Sequence, residues 1–276
     1  MKFGTFFSQV TASEQKGEVK SEQEALLTYK ELGLDYVDID SAPLSKSRPA
    51  KEFLKELKDC GVYVGSAFCW HKFPHDDPEA LKEMKEFTKF QLDYVAAVDC
   101  NIYMPVPFVG TIHESAEARR VCQDKVAEYF ADVVELAKPY GIQPVLENYS
   151  STTCPFATID DIAYLLEKVP GIDYVLDAGN YWFNDSDVVE ATKLFIDKIA
   201  HVHLKDIVKT TDGPMVVDGR YANSVAIGSG EIPFEEIFAI LTENGYDKTM
   251  TVEINGGQFV HEKTMESLRY LSRVFR

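Results

Sequence analysis

A pattern that recurs eight times constrains this chain most: a short apolar, β-branched or aromatic run, then a longer stretch with helical spacing. MKFGTFF (1–7) precedes a helical 22–32, YVDID (36–40) precedes 50–59, and VYVGSAFCW (62–70) precedes an amphipathic 78–98. NIYMPVP (101–107) precedes 115–140, PVLENY (144–149) precedes 159–168, and DYVLDAG (173–179) precedes 188–198. AHVHLKD (200–206) leads through a long loop to 233–244, and TMTVEIN (249–255) leads to 261–273. Glycine follows several helical stretches, at Gly33, Gly61, Gly141, Gly171 and Gly245, where a helix end needs a residue at ease with positive φ. Strands alternating with helices specify a parallel sheet. Eight such units without a glycine-rich dinucleotide fingerprint predict an α/β fold closed into a (β/α)8 TIM barrel rather than an open sheet. No linker, low-complexity segment or shift in composition divides the 276 residues, so one domain over 1–276 is expected.

Charge then limits the partners. The chain carries 45 Asp and Glu against 28 Lys and Arg, a formal charge of −17. Affinity for phosphate backbones and anionic bilayers comes mainly from Lys and Arg, so nucleic acid and membrane surfaces are poor partners. A small phosphorylated ligand needs just a local cluster of donors and stays open. No apolar run approaches the ~20 residues that span a bilayer. The opening MKFGTFFSQVTASEQ lacks the apolar core and cleavage site of a signal peptide. The five cysteines are scattered and form no C-x-x-C, which suits reduced thiols better than a disulfide framework. These features predict a cytoplasmic protein with a small-molecule substrate, and a homo-oligomer is compatible with them.

In such a barrel reactive groups stand at the C-terminal ends of the strands. Those positions hold Glu147 in the fifth unit, Asp177 in the sixth, His203 in the seventh and Glu253 in the eighth. Alternation along a strand decides where they point. Thr249, Thr251, Glu253 and Asn255 share one face while Met250, Val252 and Ile254 share the greasier one that should meet the helices. The same logic turns His201, His203 and Lys205 inward and Val202 and Leu204 outward. Three carboxylates brought together without a counterion would repel and raise one another's pKa. Lysines or backbone groups could satisfy any one of them, but acids and a histidine at four successive strand ends point to a shared role. A divalent cation resolves the repulsion. Three oxygens and one imidazole suit Mn²⁺ first, with Mg²⁺, Co²⁺ or Zn²⁺ also compatible, and leave coordination positions open.

ENYSSTTCPFAT, LDAGN, HVHLKD and GSGEIPFEEIFAILTENGYDKTMTVEING carry a resemblance to the sugar phosphate isomerase/epimerase family of xylose-isomerase-like TIM barrels. It follows all the units in order, with the specific motifs in the second half. The resemblance implies that Glu147, Asp177, His203 and Glu253 bind one divalent metal and that Glu147 and Glu253 also shuttle protons on opposite faces of the substrate. An ion bound to hydroxyl and carbonyl oxygens stabilises the enediolate that deprotonation creates. Return of the proton on the other face gives epimerisation, and return by the same group to the neighbouring carbon gives isomerisation. Ketohexose 3-epimerases of the family typically carry Glu, His and Arg where this chain has Thr153, Asn180 and Lys209. The resemblance therefore supports a sugar isomerase or epimerase in general, with a sugar or inosose dehydratase as the alternative and a non-catalytic sugar-binding barrel behind it. The superfamily's abasic-site endonuclease needs further metal ligands, one where Asn180 stands, and a less acidic surface.

Around these four, Lys205 and Asn180 are expected to contact substrate. Trp70 and His71, at the end of the third strand, could stack on a sugar and hydrogen-bond to it. Arg220 is a candidate anion clamp if the loop after the seventh strand is a lid. Phe7 ends the first strand and reads as core, and Gly228-Ser229-Gly230 reads as a turn whose amides could meet an anion. His201 should lie a layer below His203, filling the core or bonding a neighbour. His75, His113 and His261 have no partner that the sequence suggests.

Overall fold

A computed structural model describes residues 1–73, 77–109 and 115–275. The chain opens with β1 (Lys2–Phe6), α1 (Phe7–Gln15), α2 (Glu22–Glu31), β2 (Tyr36–Asp40), α3 (Ser41–Ser47), α4 (Ala50–Asp59) and β3 (Tyr63–Lys72). It continues through α5 (Pro78–Ala97), β4 (Ile102–Phe108), α6 (Ala116–Ala137), β5 (Gln143–Glu147), α7 (Ile159–Lys168) and β6 (Asp173–Asp177). Next come α8 (Ala178–Phe183), α9 (Val188–Phe195), β7 (Ile199–Leu204), β8 (Asp206–Thr210), β9 (Met215–Val217) and β10 (Arg220–Val225). It ends with α10 (Phe234–Glu243), β11 (Thr249–Val252) and α11 (Val260–Phe275). Strands β1, β11, β7, β6, β5, β4, β3 and β2 pair in that order, and β1 also pairs with β2, so the parallel barrel closes. This is the eight-unit barrel that the alternation predicts.

Helix ends carry the expected chemistry. Ser21, Asp77, Ser115 and Thr158 each accept a first-turn amide at an N-terminus. The five glycines singled out at helix ends all have positive φ. Outside the barrel, the helices and the outward strand faces form one large apolar core. Inside, Met104, Val106, Val145, Val175 and Ala200 pack together on the β4–β7 side. Tyr36 fills the floor on the opposite side. A Cβ on Gly4 or Gly65 would fall within its ring, so the neighbouring strands must be glycine there for the ring to fit.

Short helices α1, α3 and α8 stand where the alternation predicts none, and α8 begins inside the expected sixth strand; two further differences bear on the site. The first strand stops at Phe6, and Phe7 begins α1 as a buried core residue. The long loop after the seventh strand is instead an antiparallel sheet in the order β8-β10-β9. Its tight turn is Asp218-Gly219, both at positive φ, the Asp-Gly signature of a two-residue hairpin. Its tip reaches the loop after β5, where Asp218 accepts from Ser151 Oγ at 2.7 Å and from the Thr152 amide at 3.0 Å. Asp206, at its base, accepts the amides of Gly228, Ser229 and Gly230 at 2.8–3.1 Å. The anion that this glycine turn meets is thus the chain's own. Among the described residues no helix is long and apolar enough to cross a membrane.

Candidate metal centre

Strand pairing sets the site. Asp177 pairs with His203 in the β6–β7 register, Thr251 pairs with His203 between β11 and β7, and the Glu253 amide bonds to Leu204 O at 2.9 Å. Glu147 pairs with Val175, one inward step below Asp177. Inward alternation therefore brings Glu147, Asp177, His203 and Glu253 to one end of the barrel, and one ligand atom from each lies within 4.8 Å of the others. Asp177 and His203 are buried, while Glu147 and Glu253 are partly open to the mouth.

The cluster is dense in hydrogen bonds. His203 Nδ1 bonds to Glu147 Oε1 and lies 3.8 Å from Glu253 Oε2. Lys205 Nζ reaches Asp177 Oδ2 at 2.6 Å, Glu253 Oε1 at 2.9 Å and Asn180 Oδ1 at 2.9 Å. Asp177 caps α8 by accepting the Asn180 amide at 2.9 Å, and Asn255 Nδ2 donates to Glu253 at 2.7 Å. A Cβ at Gly179 would collide with Lys205, so the glycine lets the lysine lie against the end of β6.

Electrostatics follow from burial and crowding. Burial, then repulsion from Glu253 and Glu147, pushes Asp177 up to about 7 against the pull of Lys205. Burial alone would lower the His203 and Lys205 pKa values, but their carboxylate partners outweigh it. Those partners hold His203 up at about 9 and Lys205 well above its usual value. Glu253 is raised by burial but held below the usual range by Lys205 and His203. A site with this excess of acid and two cationic partners is balanced for one more positive charge. Three carboxylates and an imidazole form a ligand set that suits a divalent ion.

The other expected contacts fare differently. Trp70 stands at the rim, 45% exposed and edge-on to Tyr149 at 5.7 Å between ring centres. His71 is turned the other way. Neighbouring strand residues face opposite sides, and its ring packs edge-on against Tyr129 of α6 at 5.5 Å. Burial lowers its pKa to about 4. Lys205 and Asn180 spend their polar atoms within the site, Asn180 Nδ2 donating to Asn148 O at 2.8 Å. Arg220 lies on β10 and pairs with Asp185 and with Trp182 O, so it does not reach the cluster as a clamp. His201 bonds to Thr249 Oγ1 at 2.6 Å and Asp38 Oδ2 at 2.8 Å, a layer below His203. His261 Nδ1 meets Tyr29 Oη at 2.9 Å, whereas His75 and His113 lie outside the described residues.

Two neighbours of the cluster escape the sequence reading. Asp38 in β2 is fully buried beneath the two histidines. Its inward parity with Tyr36 in YVDID was the available signal. Phe6, rather than Phe7, is the first-strand ring at the site, 4.9 Å from the His203 ring.

Comparison with known proteins agrees with this architecture. The family model described as xylose isomerase-like TIM barrel matches residues 26–274. An inosose isomerase of Halalkalibacterium halodurans is 25% identical over 200 residues, covering 71% of this chain and 68% of that protein. An inosose dehydratase of Clostridium tetani is 30% identical over 128 residues, 43% of this chain and 42% of that one. The crystal structure of the IOLI protein with a bound zinc atom superposes with a TM-score of 0.78 at 17% identity, covering 99% of this chain and 98% of that one. At that identity the likeness speaks for the fold alone.

Proposed function

The chain belongs to the xylose isomerase-like TIM barrel family, and from that premise we propose a divalent-metal-dependent isomerase or epimerase of a small sugar or related polyhydroxy carbonyl compound. The observation that supports this most is the convergence of Glu147, Asp177, His203 and Glu253 within 4.8 Å. In this reading those four side chains hold one ion, Mn²⁺ first and Mg²⁺, Co²⁺ or Zn²⁺ as alternatives. A divalent ion there supplies positive charge beside the oxygen on which negative charge develops.

The rest is the work of the chain itself. Glu147 ends β5 and Glu253 follows β11, with β6 and β7 between them, so the two carboxylates approach a central substrate from different sides. One removes the proton beside the carbonyl. Return by the other inverts the carbon, and return by the first to the adjacent carbon exchanges aldose for ketose. Lys205, bonded to Asp177 and Glu253, holds both acids in place and opposes the upward push of burial and crowding on them. Trp70 offers a face to the apolar side of a sugar ring.

Dehydration is the second reading, favoured by the relatives named inosose dehydratase. It shares the first proton abstraction and then expels a hydroxyl group. A pure sugar binder has no need of carboxylates on two sides. The five buried cysteine thiols fit the cytoplasm as the compartment. A screen of aldoses, ketoses and inososes with Mn²⁺ in D₂O tests the proposal. Deuterium beside the carbonyl with an isomeric product supports it, loss of water selects the dehydratase, and no incorporation with any substrate counts against both.

A further inference from the structure

The two histidines of HVHLKD both face one carboxylate across the barrel floor. Asp38 Oδ1 accepts the Ser66 amide at 2.8 Å, which fixes the plane of its carboxylate. Oδ2 accepts from His201 Nε2 at 2.8 Å and Thr251 Oγ1 at 2.5 Å, and lies 3.8 Å from His203 Nε2. That His203 nitrogen is buried and has no hydrogen-bond partner. A buried polar atom left without one is costly, so its orientation toward a carboxylate calls for an explanation. The other ring nitrogen, Nδ1, faces Glu147 and Glu253. A neutral imidazole has one N–H and one lone pair, and the group beside one nitrogen decides which it keeps. Thr251 has a second acceptor in Tyr36 Oη at 3.0 Å. Its hydroxyl can therefore turn away and free a lone pair of Oδ2 for His203.

We propose that Asp38 is a positioning residue for the metal centre: it draws the His203 proton onto Nε2 and leaves the Nδ1 lone pair to the ion. The proposal rests on the metal-binding reading of the four-residue cluster. His201 then has a distinct task. Its Nε2–H holds the same carboxylate in place while Nδ1 accepts from Thr249 Oγ1, so one acid orients the ligand histidine and is itself oriented by the other. A carboxylate behind a ligating imidazole fixes ring and tautomer, and its loss typically weakens metal binding by about 10–100-fold.

Long-range ¹H–¹⁵N spectra of ¹⁵N-histidine-labelled protein loaded with Zn²⁺ read the tautomer directly, and titration calorimetry with Zn²⁺ reads the affinity. The expected spectrum has His203 protonated at Nε2 with Nδ1 on the metal. Asp38→Asn places an amide donor against Nε2 and should lower Zn²⁺ affinity about 10–100-fold. Thr251→Val, which also touches Asp38, should leave the affinity within a few-fold. His203 protonated at Nδ1, or Asp38→Asn binding Zn²⁺ like the wild type, overturns the proposal while the metal reading stands. Wild-type protein that takes up no Zn²⁺ overturns both. If Asp38→Asn does not fold, the wild-type spectrum decides alone.

Discussion

From β5 round to β11 the barrel mouth is lined by Glu147, Asp177, His203, Lys205 and Glu253, charged groups that bond to one another. From β1 to β4 the lining is Phe6, Phe68, Trp70 and Phe108, rings that meet edge to face among themselves and with Tyr149. Acids below the mouth must be placed to within a hydrogen bond, because each lost partner strands a charge in a poor dielectric. Rings at the rim need just a volume and a face. Trp70 and Phe108 accordingly remain 45% and 37% exposed. The ionic half is therefore where the reaction should be sensitive, and the aromatic half where substrate fit should be tuned.

Substitutions that break this contrast fall in a sequence of decreasing effect. Glu147→Gln and Glu253→Gln keep shape and remove a base, so each should cut solvent-deuterium exchange beside the substrate carbonyl by about 10²–10⁴. Exchange near the wild-type rate in both would remove the ionic half from the chemistry. Lys205→Met should destabilise the metal-free protein by about 3 kcal/mol in urea unfolding, since Asp177 and Glu253 lose a buried partner. Added divalent metal should restore most of that loss; equal destabilisation with and without metal would show that the lysine acts through packing.

A third test lies behind the aromatic half. His71 is held at about 4 by burial, below the ~6.5 of an unfolded histidine. As pH falls below ~6.5 the unfolded chain takes up the proton first, so this share of stability is present above that pH and is lost on the way down to about 4. The share is about 3 kcal/mol, and His71→Phe should flatten the acid limb of the unfolding curve by that order. An unchanged limb would mean that the ring is hydrated. The smallest effect belongs to Trp70→Ala, with KM raised several-fold and kcat nearly constant. Stacking of this kind is worth about 1 kcal/mol, and a fall in kcat with unchanged KM would move Trp70 to the ionic side of the comparison.

How much of this was legible follows the same division. Period-two alternation and the position of each strand's exit were enough to bring Glu147, Asp177, His203 and Glu253 together, because a parallel barrel leaves inward residues few places to go. The glycines after helices marked the units for a local reason, backbone conformation. Asp38 is hidden from the sequence because it belongs to the first half of the chain, away from the distinctive motifs, and its partners come from β7 and β11. His71 follows Trp70 in the sequence but faces the helices, because adjacent strand residues alternate. The sheet over 206–225 has short strands of mixed polarity, and its one local signal is the Asp218-Gly219 turn. That Lys205 and Asn180 bond to each other and to Asp177 depends on how closely Gly179 lets the lysine approach, a packing detail that residue pattern does not carry.

Metal content is the most direct test of the central claim, that four strand-end side chains form one divalent site. Elemental analysis of protein equilibrated with Mn²⁺ and freed of excess should find about one ion per chain. His203→Ala should lose it and His201→Ala should retain it. Wild-type protein that holds no divalent metal, or a site lost with His201 and kept without His203, would contradict the account.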